Sequence, residues 1–310
     1  MSSQTALLFA GQGSQTVGMG QDLCEKHAVS RQLFEQANAV LGRDLMQICF
    51  AGPEAVLTQT DNAQPGIFLT SLACLAALQA QVPDLKFSAT AGLSLGEFTA
   101  LTAAGATSFE DGLRMVQARG RFMQEACDST QGGMASIINL DDAVLVDVCR
   151  EADVDIANLN CPGQTVISGA KDKIAKAVEL AKTRGAKRAI PLPVAGAYHS
   201  RLMIGAQQKV AAELARLPLR DPRVPVVANV SARPGGSVAD IKDLLTRQVT
   251  GTVRWTESMQ WLIAQGFTRF IELGPGAVLA GLMKRINKDV EVISVNDCAT
   301  LEAAVIKLRG

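Results

Sequence analysis

The stretch Gly92-Leu93-Ser94-Leu95-Gly96 constrains this chain more than any other. It stands between a short β-like run at 87–91 and a small-residue helical run at 97–104. A strand that turns sharply into a helix through G-x-S-x-G holds its serine on a tight corner, with the hydroxyl exposed and a helix N-terminus beneath it. The two glycines suit a turn that leaves no room for Cβ atoms on either side of the serine. The pattern reads in two ways, as a nucleophile elbow presenting Ser94 or as a glycine-rich strand-to-helix turn around an ordinary serine.

The surrounding chain supplies a scaffold. Residues 5–10 are apolar and end in Gly11-Gln12-Gly13-Ser14-Gln15, which predicts a buried first strand delivering a glycine-rich loop. The loop lacks a P-loop lysine and a complete G-x-G-x-x-G, so a nucleotide is poorly supported. Backbone N–H groups in such a loop can instead hold an oxyanion. The spacing predicts a surface helix over 30–41, stopped by Gly42, and a helix over 67–80 that is apolar around most of its circumference. Strands over 224–230, 270–273 and 292–295 alternate with helices over 241–249, 255–264 and 278–286, and a C-terminal helix follows. Such alternation implies an α/β fold with a mainly parallel sheet and functional loops at the strand ends.

Residues 131–196 have a different texture. Strand, helix, strand, strand, helix and strand follow one another at 134–140, 143–152, 155–159, 165–168, 171–184 and 188–194. That order is ferredoxin-like. The expected architecture is therefore a large α/β-hydrolase-like domain over 1–130 and 197–310, with a small ferredoxin-like α+β subdomain inserted at 131–196.

Two further side chains stand out. Plotted at about 100° per residue, the helix over 111–126 places Arg114 and Arg121 on one polar arc and Arg119 on the other, among Met115, Val116, Met123 and Ala126. A guanidinium on an apolar face needs a partner. It is either a structural salt bridge or snorkelling side chain, or a fork awaiting a ligand carboxylate. The chain has only two histidines, His27 and His199, so imidazole chemistry has two candidates. His199 lies at the seam between the two predicted units, where clefts form.

Composition excludes several alternatives. Thirty basic and thirty acidic residues cancel, leaving no overall field to hold nucleic acid or an anionic membrane. The seven cysteines are scattered and never in C-x-x-C spacing, which argues against a disulfide framework and a zinc site. No basic segment with a long apolar stretch opens the chain, and the 67–80 run is shorter than the roughly 20 residues of a membrane span. The expectation is a soluble, cytoplasmic protein without bound metal.

Taken together, several motifs resemble one family, the malonyl-CoA:acyl carrier protein transacylases and related acyltransferase domains. They are the 11–15 loop, the Ser94 elbow followed by Glu97, Arg119-Gly120 with Met123, and Asn160-Cys161-Pro162-Gly163-Gln164. Tyr198-His199-Ser200, Arg247-Gln248 and Gly274-Pro275-Gly276 complete the set, in the family's order and nearly end to end. The resemblance implies Ser94 as nucleophile and His199 as general base, the latter oriented by a backbone carbonyl at Gln248. It implies an oxyanion hole from the N–H groups of Gln12 and Leu95, and Arg119 as the binder of a malonyl carboxylate. A bulky residue at Tyr198 would crowd a methyl-branched acyl group. The implied reaction is a ping-pong transfer from malonyl-CoA to acyl carrier protein, without a cofactor, in fatty acid synthesis.

The chain departs from the family at two positions. Leu93 replaces the usual histidine beside the nucleophile, which changes packing and polarity there but not the reaction class. Ala10 stands where proline is common. Three other readings compete: loading of a polyketide carrier, hydrolysis by a serine esterase or thioesterase, and a carrier-binding scaffold with an unreactive elbow. Lys284 and Arg285 near the predicted cleft either meet an acidic carrier or form a solvated helix face.

Overall fold

In the computed structural model, residues 4–309 are described. Ten strands occur among them: β1 (Gln4–Phe9), β2 (Ala89–Gly92), β3 (Gly132–Ile138), β4 (Asp155–Cys161), β5 (Gln164–Ala170), β6 (Arg188–Pro191), β7 (Val226–Ala228), β8 (Arg233–Pro234), β9 (Phe267–Leu273) and β10 (Glu291–Val295). They form a six-stranded sheet of order β10-β9-β1-β2-β7-β8 and a four-stranded sheet of order β4-β5-β3-β6.

The large sheet is parallel except for the short β8 edge. β1 is buried at every position after Gln4, and all four residues of β2 are buried. Strands buried on both faces along their length suit a parallel sheet covered on both sides. In the β1–β2 register Phe9 lies opposite Gly92, so the 11–15 loop and the elbow leave the sheet side by side at its carboxyl edge. Phe9 also lies opposite Leu273 of β9, which brings the Gly274-Pro275-Gly276 turn to the same edge.

The apolar helix predicted over 67–80 is longer, Thr60–Gln81, with Pro65 inside it. Proline cannot donate to the carbonyl of Asp61 one turn earlier. That carbonyl instead accepts from Arg43 at 2.9 Å and Gln117 at 3.3 Å, which explains why the helix runs through the proline. By length and composition this helix could cross a membrane, but 83% of its apolar window is buried inside the protein. It packs against the helix Phe109–Ser129.

The small sheet is wholly antiparallel, with β3 between β5 and β6. Alternation divides its two faces. Ala135, Ile137 and Ile167 pack with Val148, Ile174 and Val178 of the helices Asp142–Ala152 and Lys171–Thr183, while Met134 and Val166 join the main core. This is the ferredoxin-like arrangement. Its last strand stops at Pro191, short of the expected 194: the Leu192 N–H still reaches the Met134 carbonyl at 2.9 Å, but Pro193 has no N–H to carry the ladder further. Two backbone bonds tie β4 to the large unit, from Val253 N to the Ala157 carbonyl (2.8 Å) and from Leu159 N to the Val253 carbonyl (2.9 Å). Arg285 adds a third tie, donating to Gln164 at 2.9 Å and to the Pro162 carbonyl at 3.0 Å, so its side chain is engaged with the small sheet.

The structure also contains helices at Gln21–Lys26, Leu45–Ala51, Glu54–Leu57 and Ile204–Arg216. The strand expected over 224–230 shortens to β7, since Pro225 precedes it and the chain turns at Asn229.

Candidate active site

Ser94 stands one residue beyond β2, after Leu93, and is the N-cap of the helix Leu95–Ala103, with φ of 54°. Left-handed backbone at a residue other than glycine carries strain of about 1–3 kcal/mol and persists only where neighbours enforce it. Asn229 is the enforcer. Its Oδ1 accepts the Ser94 N–H at 2.6 Å, and its Nδ2 donates to the Gly92 carbonyl at 2.8 Å. Both elbow glycines are required, because a Cβ at Gly92 would lie 1.9 Å from the Gly96 oxygen and one at Gly96 would lie 2.2 Å from the Phe9 oxygen.

His199 is buried, and its backbone is also left-handed, with φ of 56°. Its Nδ1 is 2.8 Å from the backbone carbonyl of Gln248, and its Nε2 is 2.7 Å from the Ser94 hydroxyl. A carbonyl only accepts, so Nδ1 carries the proton and Nε2 is free to receive the one from Ser94. Burial, reinforced by the Arg119 charge, holds the imidazole down to about 4, so it is neutral at physiological pH and its Nε2 lone pair is unprotonated.

Arg119 is fully buried. Its Nη1 donates to Gln64 Oε1 at 2.7 Å, and its Nη2 donates to Gln248 Oε1 at 2.9 Å and to the Ser94 hydroxyl at 3.1 Å. The guanidinium lies 5.3 Å from the Phe98 ring centroid. No carboxylate among the described residues makes a salt bridge with it, and its Nε has no partner. The structural salt bridge is thus absent from these residues, and the fork is held by neutral amide oxygens that a carboxylate can outcompete. Burial lowers Arg119 to about 10, which leaves it charged at neutral pH.

Gln12 and Leu95 complete the ring around Ser94. Among the described residues neither backbone N–H finds a protein acceptor, and Leu95 N–H opens a helix whose dipole favours negative charge. The Gln12 side chain is tied to Gln64 (3.2 Å) and Tyr198 (3.3 Å). Tyr198 presents its ring to the site, while its hydroxyl is 2.6 Å from that of Thr60. A cavity of about 250 Å³ opens over these groups, walled by Met134, Val166 and Asn160 of the small sheet and by Leu93, Val278 and Leu282 of the large unit. Leu93 therefore contributes an apolar wall beside the nucleophile. The arrangement sets a hydroxyl against a neutral imidazole and a buried cation, beside two N–H groups without a protein acceptor, an arrangement able to support nucleophilic acyl transfer.

Comparison with known proteins agrees with that chemistry. The family model for the acyl transferase domain matches residues 6–302. The chain belongs to this family. Among curated acyl transferases it is 45% identical to the malonyl CoA-acyl carrier protein transacylase of Bacillus subtilis, over 99% of this chain and 98% of that one. It is 41% identical to the Escherichia coli K12 protein of the same name, over 98% and 99% of the two chains. Solved acyl transferases superpose closely. The acyl-carrier-protein-S-malonyltransferase of Bartonella henselae matches at a TM-score of 0.94 and 40% identity, covering 99% of this chain and 100% of that one. A malonyl-transacylase solved in complex with a type II PKS acyl-carrier protein matches at 0.94 and 38% identity, covering 98% and 100%.

Of the site residues expected from sequence, Ser94, His199, Gln12 and Tyr198 line this cavity. Arg119 and Gln248 stand behind them, bonded to the Ser94 hydroxyl and to His199 Nδ1 respectively, and Leu95 follows Ser94 in the elbow. Three contributors carry no role from sequence: Gln64, Asn229 and Glu97. Glu97 sits inside a recognised motif. Gln64 lies before the 67–80 run that the sequence marks as helical, and Asn229 falls inside the strand expected over 224–230, so no local pattern points to either; only the structure shows their buried amides.

Proposed function

We propose that this acyl transferase moves a malonyl group from malonyl-CoA to the phosphopantetheine thiol of acyl carrier protein, supplying fatty acid synthesis. The observation that carries the reading is the position of one atom: the Ser94 Oγ has the His199 base at 2.7 Å and the Arg119 fork at 3.1 Å.

Ser94 attacks the thioester carbonyl as His199 Nε2 takes its proton, and the oxyanion is received by the N–H groups of Gln12 and Leu95. Collapse expels the thiol of coenzyme A, which recovers the proton from His199 and leaves malonyl-serine. The carrier's thiol then gives its proton to His199 and attacks the ester, and Ser94 is regenerated. Arg119 holds the malonyl carboxylate through a fully buried guanidinium, where charge pairing discriminates strongly against an acyl group without it. The Tyr198 ring limits room for a methyl branch beside the acyl carbonyl. Residues 131–196 act as the small subdomain that walls the cavity. The seven cysteines are free and buried, which suits the reducing cytoplasm.

The test is to incubate the protein with radiolabelled malonyl-CoA, without carrier, and map the label. Label on Ser94 that chases onto added acyl carrier protein supports the reading; label elsewhere, or none, sinks it. Comparing rates on fatty acid and polyketide carriers identifies the one served.

A further inference from the structure

Glu97 is a buried carboxylate that the mechanism above does not use. Its Oε2 accepts two N–H donors, the backbone of Asn229 at 3.0 Å and the side-chain Nε2 of Gln248 at 2.7 Å. That same Nε2 also donates to the Ser94 carbonyl at 2.8 Å, while Gln248 Oε1 accepts from Arg119 at 2.9 Å. The amide of Gln248 therefore bridges the two buried charges of the site without letting them touch.

From this arrangement we infer that Glu97 is a positioning residue for the Arg119 fork: by receiving Gln248 Nε2 it fixes the side-chain amide of Gln248 so that the amide oxygen faces the guanidinium. The inference rests on Arg119 being the receiver of the malonyl carboxylate.

An inverted amide would set Gln248 Oε1 against Glu97 Oε2 and the Ser94 carbonyl, and an NH₂ against Arg119, making three unfavourable contacts at once. Oε2 already receives the Asn229 N–H, so it remains an acceptor whether or not the carboxyl carries a proton on its other oxygen. Burial raises this carboxyl to about 7, and the orienting contact does not depend on its charge. The Gln248 backbone carbonyl orients His199 separately, so the side-chain relay and the base are distinct functions of one residue.

The experiment measures kcat/KM for malonyl-CoA and acetyl-CoA with the full-length protein and its acyl carrier protein. Glu97→Met fills the space without an acceptor and is expected to lower malonyl transfer about tenfold, the scale of one hydrogen bond in a charged network. Acetyl transfer, which does not use the fork, is expected to fall less than malonyl transfer, by the part of the loss that reaches Ser94 through Asn229. Glu97→Gln keeps an acceptor oxygen and restores malonyl transfer. Equal losses for the two substrates in Glu97→Met, or a Glu97→Gln variant as selective in its loss as Glu97→Met, overturn the inference. If Glu97→Met does not fold, Gln248→Met decides: it retains the backbone carbonyl for His199 and removes the amide, and an unchanged malonyl-to-acetyl ratio overturns the inference equally. Arg119→Ala separates the two claims, because an unaltered ratio in that variant refutes the carboxylate reading itself.

Discussion

Ser94 and His199 meet at 2.7 Å, and both do so from left-handed backbone, at φ of 54° and 56°. Two strained residues facing one another, each held by a buried amide residue, are the signature of a preorganised pair. Asn229 grips the first through its side chain, and Gln248 grips the second through its carbonyl.

Removing either partner is expected to stop acylation. Ser94→Ala forms no malonyl-enzyme, read by mass spectrometry of the intact protein. His199→Ala slows formation on the order of 10³-fold or more, the loss typical of a missing triad member. A burst of acylation in His199→Ala comparable to that of the parent protein refutes the base assignment.

The fork predicts a substrate switch. Arg119→Ala is expected to lower malonyl transfer on the order of a hundredfold, since a buried carboxylate loses its charge-assisted pair. Acetyl transfer gains relative to malonyl. Arg119→Lys does not rescue, because one ammonium cannot span Gln64, Gln248 and Ser94 as the planar guanidinium does. Steady-state rates with the two thioesters check both statements.

The histidine should titrate far from its ordinary range. Burial and Arg119 lower His199 from 6.5 to about 4. The unfolded chain takes up a proton below pH 6.5 that the folded chain refuses. This contribution to stability is therefore fully present above pH 6.5 and is lost as pH falls through about 4. With only two histidines in the chain, NMR of the imidazole carbons, assigned against His199→Ala, reads the midpoint directly. A His199 midpoint near 6.5 contradicts the burial argument.

Tyr198 separates size from hydrogen bonding. Tyr198→Phe keeps the ring and should still reject methylmalonyl-CoA. It loses the contacts to Thr60 and Gln12, however, so malonyl transfer falls several-fold, about the worth of one neutral hydrogen bond. Tyr198→Ser admits the branched substrate. Competition assays with the two thioesters distinguish the variants.

The elbow tolerates no side chain at its first glycine. Gly92→Ala places a Cβ 1.9 Å from the Gly96 oxygen, so the turn must open. The expected result is a loss of more than about 4 kcal/mol, or no folded protein, in denaturant titration. Gly205→Ala, where a Cβ meets open space, is the control and should be neutral or stabilising.

The sequence carried the local devices because each is written in adjacent residues. The elbow, the 11–15 loop and the βαββαβ order of 131–196 are all turn chemistry and periodicity. The helix boundary at Thr60 was not legible, since Pro65 reads as a break until Arg43 and Gln117 are seen to take over the Asp61 carbonyl. The same holds for Arg119. Its position on an apolar face was plain from the 3.6-residue period, but whether it faced a carboxylate of the chain or two amides was not.

What the sequence determined by itself was the reaction's equipment: a serine on a corner, a histidine at a seam, an arginine on an apolar face. What only the tertiary structure decided was how these are held. Gln64 reaches Arg119 across 55 residues, Gln248 across 129, and Asn229 reaches Ser94 across 135. Contacts between residues so far apart leave no period and no local pattern in a chain. They exist because β1 and β2 pair in parallel with their carboxyl ends together, and because the packed helices then set buried amides where the site's polar groups must find partners.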